Sequence, residues 1–136
     1  LLFIIDINTF ARKIFMLINR KEKLNEDGTI GYIESVFNSG NVMKTTYFPA
    51  DNKLYIAFNR GETYSYANVL NELYNTFEKA ESQGVFFFKT FNKNSKYPSR
   101  KEFTLYPTEV KEIKEEIKQI IEDHSGDEML ITEGDD

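Results

Sequence analysis

The stretch Leu54–Tyr66, LYIAFNRGETYSY, decides the fold. Leu54, Ile56 and Phe58 alternate with Tyr55 and Ala57, so an extended segment here has one apolar face. Asn59-Arg60-Gly61-Glu62 then interrupts the alternation with a glycine that tolerates positive φ, and Tyr64 and Tyr66 share one face of the returning segment. This is a β-hairpin that carries aromatic rings. Gly61 belongs to its turn, because a phosphate-binding loop needs several glycines ahead of a helix.

Working outward, Val42–Phe48 reads as a strand that reaches the hairpin through the turn Pro49-Ala50-Asp51-Asn52, which gives a three-stranded antiparallel meander. Asn68 is placed to cap a helix in which Val69, Leu73, Phe77 and Ala80 form an apolar stripe, and Gly84 supplies its stop. That helix should cover one face of the sheet. Toward the N-terminus, Asn38-Ser39-Gly40 and Glu26-Asp27-Gly28 punctuate the chain. Ile30–Phe37 between them fits a strand or a short helix, because Ile30, Ile33 and Phe37 have helical spacing whereas Gly31 and the β-branched content oppose it. Leu1–Ile5 reads as a short strand or the lead-in to a helix over Phe10–Arg20, capped by Asn8 or Thr9. A last helix, Thr108–Asp123, carries Val110, Ile113, Ile117, Ile120 and Ile121 on one side, and it should dock that stripe on the domain or on a second copy.

The expected class is therefore α+β: a small antiparallel meander of three to four strands packed by helices, with an N-terminal helix and an amphipathic C-terminal helix. The expected division is residues 1–38 as a helical extension, 39–106 as the α+β domain, 107–124 as the C-terminal helix and 125–136 as an acidic tail. One competition stays open at this level. Leu54, Ile56 and Phe58 demand a buried face, the tyrosine pair has its own claim, and a single helix covers only one side.

A chain of 136 residues can bury a core without disulfide or metal staples. Cysteine is absent and histidine occurs once, which removes thiol nucleophiles, disulfides, zinc fingers and most imidazole metal sites. No enzymatic activity, cofactor or metal is expected. Asp6, Arg12 and Lys13 interrupt the apolar N-terminus well short of a bilayer span, and it has neither a basic n-region nor a small-residue cleavage site. The expectation is a soluble, cytoplasmic protein without a membrane partner.

The net charge of -5 is unevenly spread. Residues 1–40 are neutral, residues 41–107 carry nine basic and six acidic side chains, and residues 108–136 carry three and eleven. Within the basic middle, Lys89, Lys93, Lys96, Arg100 and Lys101 occur with Phe91 and Tyr97 and no carboxylate between them. Cations that follow phosphates and rings that stack on bases are what a single-stranded nucleic acid requires, although an Asn-rich solvated loop has the same composition.

The pattern Ser39, Asn41, Val42, Tyr47, then Leu54-x-Ile56-x-Phe58-x-x-Gly61-x-x-Tyr64-x-Tyr66-x-x-Val69, then Tyr74, Ala80, Ser82, Gly84, Phe87 and Tyr97-Pro98 resembles the KTSC domain. That small family is named for its place at the C-terminus of some lysyl-tRNA synthetases, and it also occurs alone. The resemblance spans residues 39–98 and departs from the family at Leu70, where a proline usually follows the valine. It implies the α+β fold, with RNA binding as the function conjectured for the family.

Tyr64 and Tyr66 have two readings. On one strand face they lie about 7 Å apart, which suits successive bases, with Lys89, Lys93 and Lys96 on the phosphates. Alternatively they are core beneath the helix. The candidate nucleic-acid-binding residues are Tyr64, Tyr66, Lys89, Lys93, Lys96, Tyr97, Arg100 and Lys101. Other groups are weaker: Asp6 has no convergent carboxylates for a metal, and Glu112, Glu115, Glu116 and Glu122 form a solvated helix face. His124 sits near that helix's negative end, and the tail Asp127–Asp136 is acidic, is expected to be disordered in isolation, and holds a small apolar insert, Met129-Leu130-Ile131. Two function classes follow. One is a non-enzymatic module for RNA or single-stranded nucleic acid. The other is a protein-interaction or inhibitory module, of the small kind that phages and mobile elements encode, using the acidic helix and tail, or a small-nucleotide binder, with a homo-oligomer as a further partner.

Overall fold

Cross-strand register settles which residues share a face. Leu54 stands opposite Tyr66 and Ile56 opposite Tyr64, and directly opposed residues of an antiparallel pair project to the same side. The aliphatic stripe and the tyrosine pair therefore belong to one buried face and do not compete. The structure, a computed structural model, describes the backbone of residues 17–135 and the side chains of residues 17–123.

Six strands run antiparallel in chain order: β1 (Leu17–Leu24), β2 (Ile30–Phe37), β3 (Val42–Phe48), β4 (Lys53–Phe58), β5 (Glu62–Tyr66) and β6 (Ser99–Thr104). Helices α1 (Asn71–Glu78) and α2 (Gln83–Thr90) lie between β5 and β6 in the chain, and α3 (Pro107–Asp135) follows. On one face Ile33, Phe37, Tyr47, Leu54, Ile56 and Tyr66 pack against Tyr74 and Phe77 of α1 and Phe87 of α2. On the other, Ile18, Val36, Met43 and Ala57 meet Ile117 of α3, with Val110, Ile113, Ile120 and Ile121 around it. The isoleucine stripe docks on the domain itself.

The three- to four-stranded expectation is corrected to six, and the reasons are physical. Residues 17–20, read as the end of a helix, begin β1, whose LINRKEKL is largely exposed and so carries no apolar alternation. Its charges also protect an open sheet edge from pairing with another chain. The ambiguous Ile30–Phe37 is a strand, and Arg100 and Lys101, read as loop, lie in β6 at the opposite edge. The expectations for Leu1–Ile5, Asp6 and the start of the first helix fall outside the described residues.

The helix expected between Asn68 and Gly84 is shorter, Asn71–Glu78, and a second helix, α2, starts at Gln83. Asn68 takes a left-handed φ of 63° and Leu70 occupies the N-cap of α1. The break has two local causes: Gln83 Nε2 donates to the Ala80 carbonyl at 2.9 Å, and the Ser82 hydroxyl accepts from the Val85 amide at 3.2 Å. The first closes one helix and the second opens the next. Gly84 thus lies inside the first turn of α2 and is not a stop. At α3 the start likewise differs from the expected Thr108. Pro107 begins the helix, and Glu109 Oε1 accepts from the Tyr106 amide at 3.0 Å. The helix also continues past Gly126.

Glu78 is a buried carboxylate, 4% exposed. Its Oε1 accepts from Arg20 Nε at 2.9 Å, and its Oε2 accepts from the hydroxyls of Ser35 at 2.8 Å and Tyr74 at 3.1 Å. With its own proton committed to Glu78, the Tyr74 hydroxyl accepts from Thr45 at 3.0 Å. Burial, reinforced by Glu78, pushes the Tyr74 hydroxyl well above its ordinary pKa, so it remains a donor. This network ties α1 to β1, β2 and β3. Burial opposes the charge on Arg20, but its bonds to Glu22 and Glu78 outweigh that and raise its pKa.

Gly61 holds the β4–β5 turn against α3. Its φ is +93°, and an added Cβ would sit 3.0 Å from Val110 Cγ2 and 3.1 Å from the Leu105 carbonyl oxygen. Gly61→Ala therefore combines backbone strain with a clash, and it should cost about 1–3 kcal/mol. Urea unfolding measures it; a change of a few tenths would mean that the turn adjusts freely.

Candidate nucleic-acid interface

At one end of the helix-covered face the sheet, α2 and two loops enclose a cleft of about 500 Å³. Its apolar wall consists of Phe58, Tyr64, Tyr66 and Phe87, and its polar groups are Asn41, Asn59, Arg60, Glu62, Asn92, Lys93 and Ser99. The rings hold one another edge-on: Phe58 to Phe87 at 5.0 Å, Phe58 to Tyr64 at 6.2 Å and Tyr66 to Phe87 at 5.8 Å between centroids. Such T-shaped packing is the favourable aromatic geometry, and it fixes each ring plane.

The rim is also held in place. Asn59 donates its amide nitrogen to the Asn41 carbonyl at 2.9 Å and its side-chain nitrogen to the Ser39 carbonyl at 3.0 Å. The Ser39 hydroxyl accepts from the amides of Asn41 and Val42 at 3.3 Å. Lys93 has φ +55°, a left-handed conformation that costs a non-glycine residue about 1–2 kcal/mol.

Of the residues expected from sequence, the cleft brings together Tyr64, Tyr66 and Lys93. Their roles are unequal. Tyr66 is 4% exposed and is core, its hydroxyl pushed up by burial and by Tyr64. The platform reading of the pair is corrected to this extent: Tyr64 alone is half-buried at the cleft wall. The remaining candidates disperse. Lys89 and Lys96 are exposed outside the cleft lining, and Tyr97 packs edge-on against Phe91 at 5.2 Å. Lys101 stands opposite Tyr64, whereas Arg100 stands opposite Ser65 on the other sheet face. There its Nε donates to Glu102 Oε1 at 2.8 Å.

Arg60, Asn41 and Asn59 complete the cleft and are not among the binding residues expected from sequence. Arg60 reads locally as a turn residue, yet it also borders a groove with Lys111, Lys114 and Lys118 of α3. Those lysines recur at helical spacing, so they share a flank of the helix. The acidic reading of the helix concealed them. Among the described residues no cluster of histidine and carboxylate side chains is arranged to hold a metal, and no helix is long and apolar enough to cross a membrane.

Comparisons with known proteins bear on the centre of the chain. The KTSC domain model matches residues 38–97, which hold β3, β4, β5, α1 and α2. Among solved structures, a crystal structure of a KTSC domain protein from Yersinia pestis is similar at 22% identity and a TM-score of 0.45, over 62% of this chain and 100% of that one. No curated protein matches. Asn41, Phe58, Tyr64, Tyr66 and Phe87, which carry the sequence resemblance, all line the cleft. Residues 38–97 thus match the KTSC domain model, and β1, β2 and β6 complete the six-stranded sheet around β3, β4 and β5.

Proposed function

We propose that this protein is a non-catalytic, cytoplasmic module that binds single-stranded nucleic acid and seats one base in the cleft. The observation that supports it most is the convergence of Phe58, Tyr64 and Phe87 with Arg60 and Lys93 on one cleft from separate parts of the chain. The ring of Tyr64 offers a π-face to a base, while the asparagine side chains offer donors and acceptors to its edge. Arg60 and Lys93 neutralise the adjoining phosphates, and the lysines of α3 extend the positive track beyond Arg60. The association with lysyl-tRNA synthetases that the family resemblance implies makes RNA the first ligand to try.

Anisotropy of a labelled single-stranded RNA tests this with two variants. Lys93→Asn removes the charge while keeping a residue that accepts left-handed φ, so the fold should hold. It should weaken binding for all sequences and lower the salt slope by about 0.7. Tyr64→Ala should cost about 1–3 kcal/mol with the slope unchanged. A Tyr64→Ala protein that melts lower but binds as tightly as wild type would make Tyr64 a packing residue only.

A second reading has one specific observation in its favour. Val85 and Phe88 of α2, 52% and 58% exposed, lie on one helix flank and present an apolar pair to solvent. That suits a protein partner, as an interaction or inhibitory module requires.

A further inference from the structure

Helix α3 packs on its sheet face at Ile18, Val36, Met43 and Ala57. Toward the other end of that face Tyr32 of β2, Phe48 of β3 and Tyr55 of β4 lie side by side on adjacent strands, with centroids 5.6 Å apart at each step. All three rings remain partly exposed. Next to them a groove of about 260 Å³ runs between Tyr55 and Phe103 of β6, floored by Thr46 and Thr63. Phe103 is 50% exposed.

The charges around this strip have a sign. Lys23 stands opposite Tyr32 and Lys53 opposite Phe48, so both lysines share the face with the rings. Lys53 Nζ lies 5.5 Å from the centroid of Tyr55. Lys44 and Arg100 add two further cations, each paired with a carboxylate, Glu34 at 3.3 Å and Glu102 at 2.8 Å. Among the described residues Lys23 and Lys53 make no such pair, and the strip is net positive. A second copy docked through the same face would set these lysines against their own equivalents, which opposes self-association. An anionic ligand with planar, apolar faces satisfies both the rings and the lysines.

We propose that this open half of the sheet is a second stacking surface for single-stranded nucleic acid, on the opposite side from the cleft, with bases on Tyr55 and Phe103 and phosphates on Lys23 and Lys53. It rests on the reading of the ligand as single-stranded nucleic acid, and it is independent of the cleft as the seat of a base. With β5 between them, Tyr55 of β4 and Phe103 of β6 hold splayed bases separately, a sequence-tolerant mode because every base has a π-face.

The test is anisotropy of labelled single-stranded RNA with the full chain, comparing Tyr55→Ala, Phe103→Ala, the double variant Lys23→Ala with Lys53→Ala, and Tyr64→Ala in the cleft. Tyr55→Ala or Phe103→Ala should weaken binding about five- to 150-fold at unchanged salt slope. The lysine double variant should lower the slope by about 1.4. Because Phe103 is half exposed, its variant should melt as wild type does, which separates lost binding from lost folding. Weakening by these variants with Tyr64→Ala silent would support this surface and remove the cleft. Wild-type affinity in all of them, with Tyr64→Ala weakened, would overturn this surface and leave the cleft standing. If Tyr55→Ala instead dissociated a wild-type dimer in sedimentation without changing RNA affinity, the strip would join two copies and the proposal would be wrong.

Discussion

Ile117→Asp should lower the melting temperature by roughly 10–15 °C and strip helical signal from the far-ultraviolet spectrum. Ile117 is 8% exposed and, among the described side chains of α3, is the one buried, against Ile18, Val36, Met43 and Ala57. Truncating a buried isoleucine costs about 2–5 kcal/mol by itself, and a carboxylate adds the penalty of desolvating a charge without a partner. The helix has an alternative to bearing that cost, which is to undock. Undocking forfeits the burial of Val110, Ile113, Ile120 and Ile121, and an isolated helix of this kind is marginal in water. Ile117→Val keeps the shape and should cost only about 0.5–1.5 kcal/mol. Unchanged melting and helicity in the aspartate variant would show that α3 does not depend on the sheet.

The second large effect is expected at Glu78. Glu78→Ala removes the acceptor that Arg20, Ser35 and Tyr74 share, leaving Arg20 with Glu22 alone and the Ser35 and Tyr74 hydroxyls, 3.1 Å apart, with only each other and Thr45. Breaking a buried pair costs about 3–5 kcal/mol. The Arg20 side chain is 32% exposed, however, so water recovers part of its loss, and about 2–4 kcal/mol is the better expectation. Urea unfolding of Glu78→Ala, Arg20→Ala and the double variant separates the parts. The carboxylate should matter more than the guanidinium, because it also serves the two hydroxyls. Equal costs for the two single variants, with the double no worse than either, would reduce the network to its ion pair.

The hairpin Leu54–Tyr66 was legible because alternation and turn chemistry are local, and β3 followed for the same reason. The strands at the two edges were not. β1 and β6 are mostly exposed, and a strand with little to bury has no apolar period to display. The break between α1 and α2 rests on two side-chain bonds, from Gln83 and to Ser82, that periodicity does not register. Tyr64 could be picked out as an aromatic residue, but its face could not be known until the register of β4 on β5 was fixed. Arg60 and Asn41 were invisible as site residues for a further reason: each is an ordinary turn residue where it stands, and only the folded sheet brings them beside Lys93. The five basic residues of the middle stretch illustrate the converse. They are neighbours in sequence, but α2, the following loop and the two faces of β6 send them apart.

Whether the protein binds single-stranded nucleic acid is decided by titrating the wild-type chain with a labelled single-stranded RNA between about 50 and about 200 mM salt. Measurable affinity is expected at the low end, with a linear fall of log K with log salt at about -0.7 per phosphate contacted. No binding of RNA or DNA even at the lowest salt would contradict it.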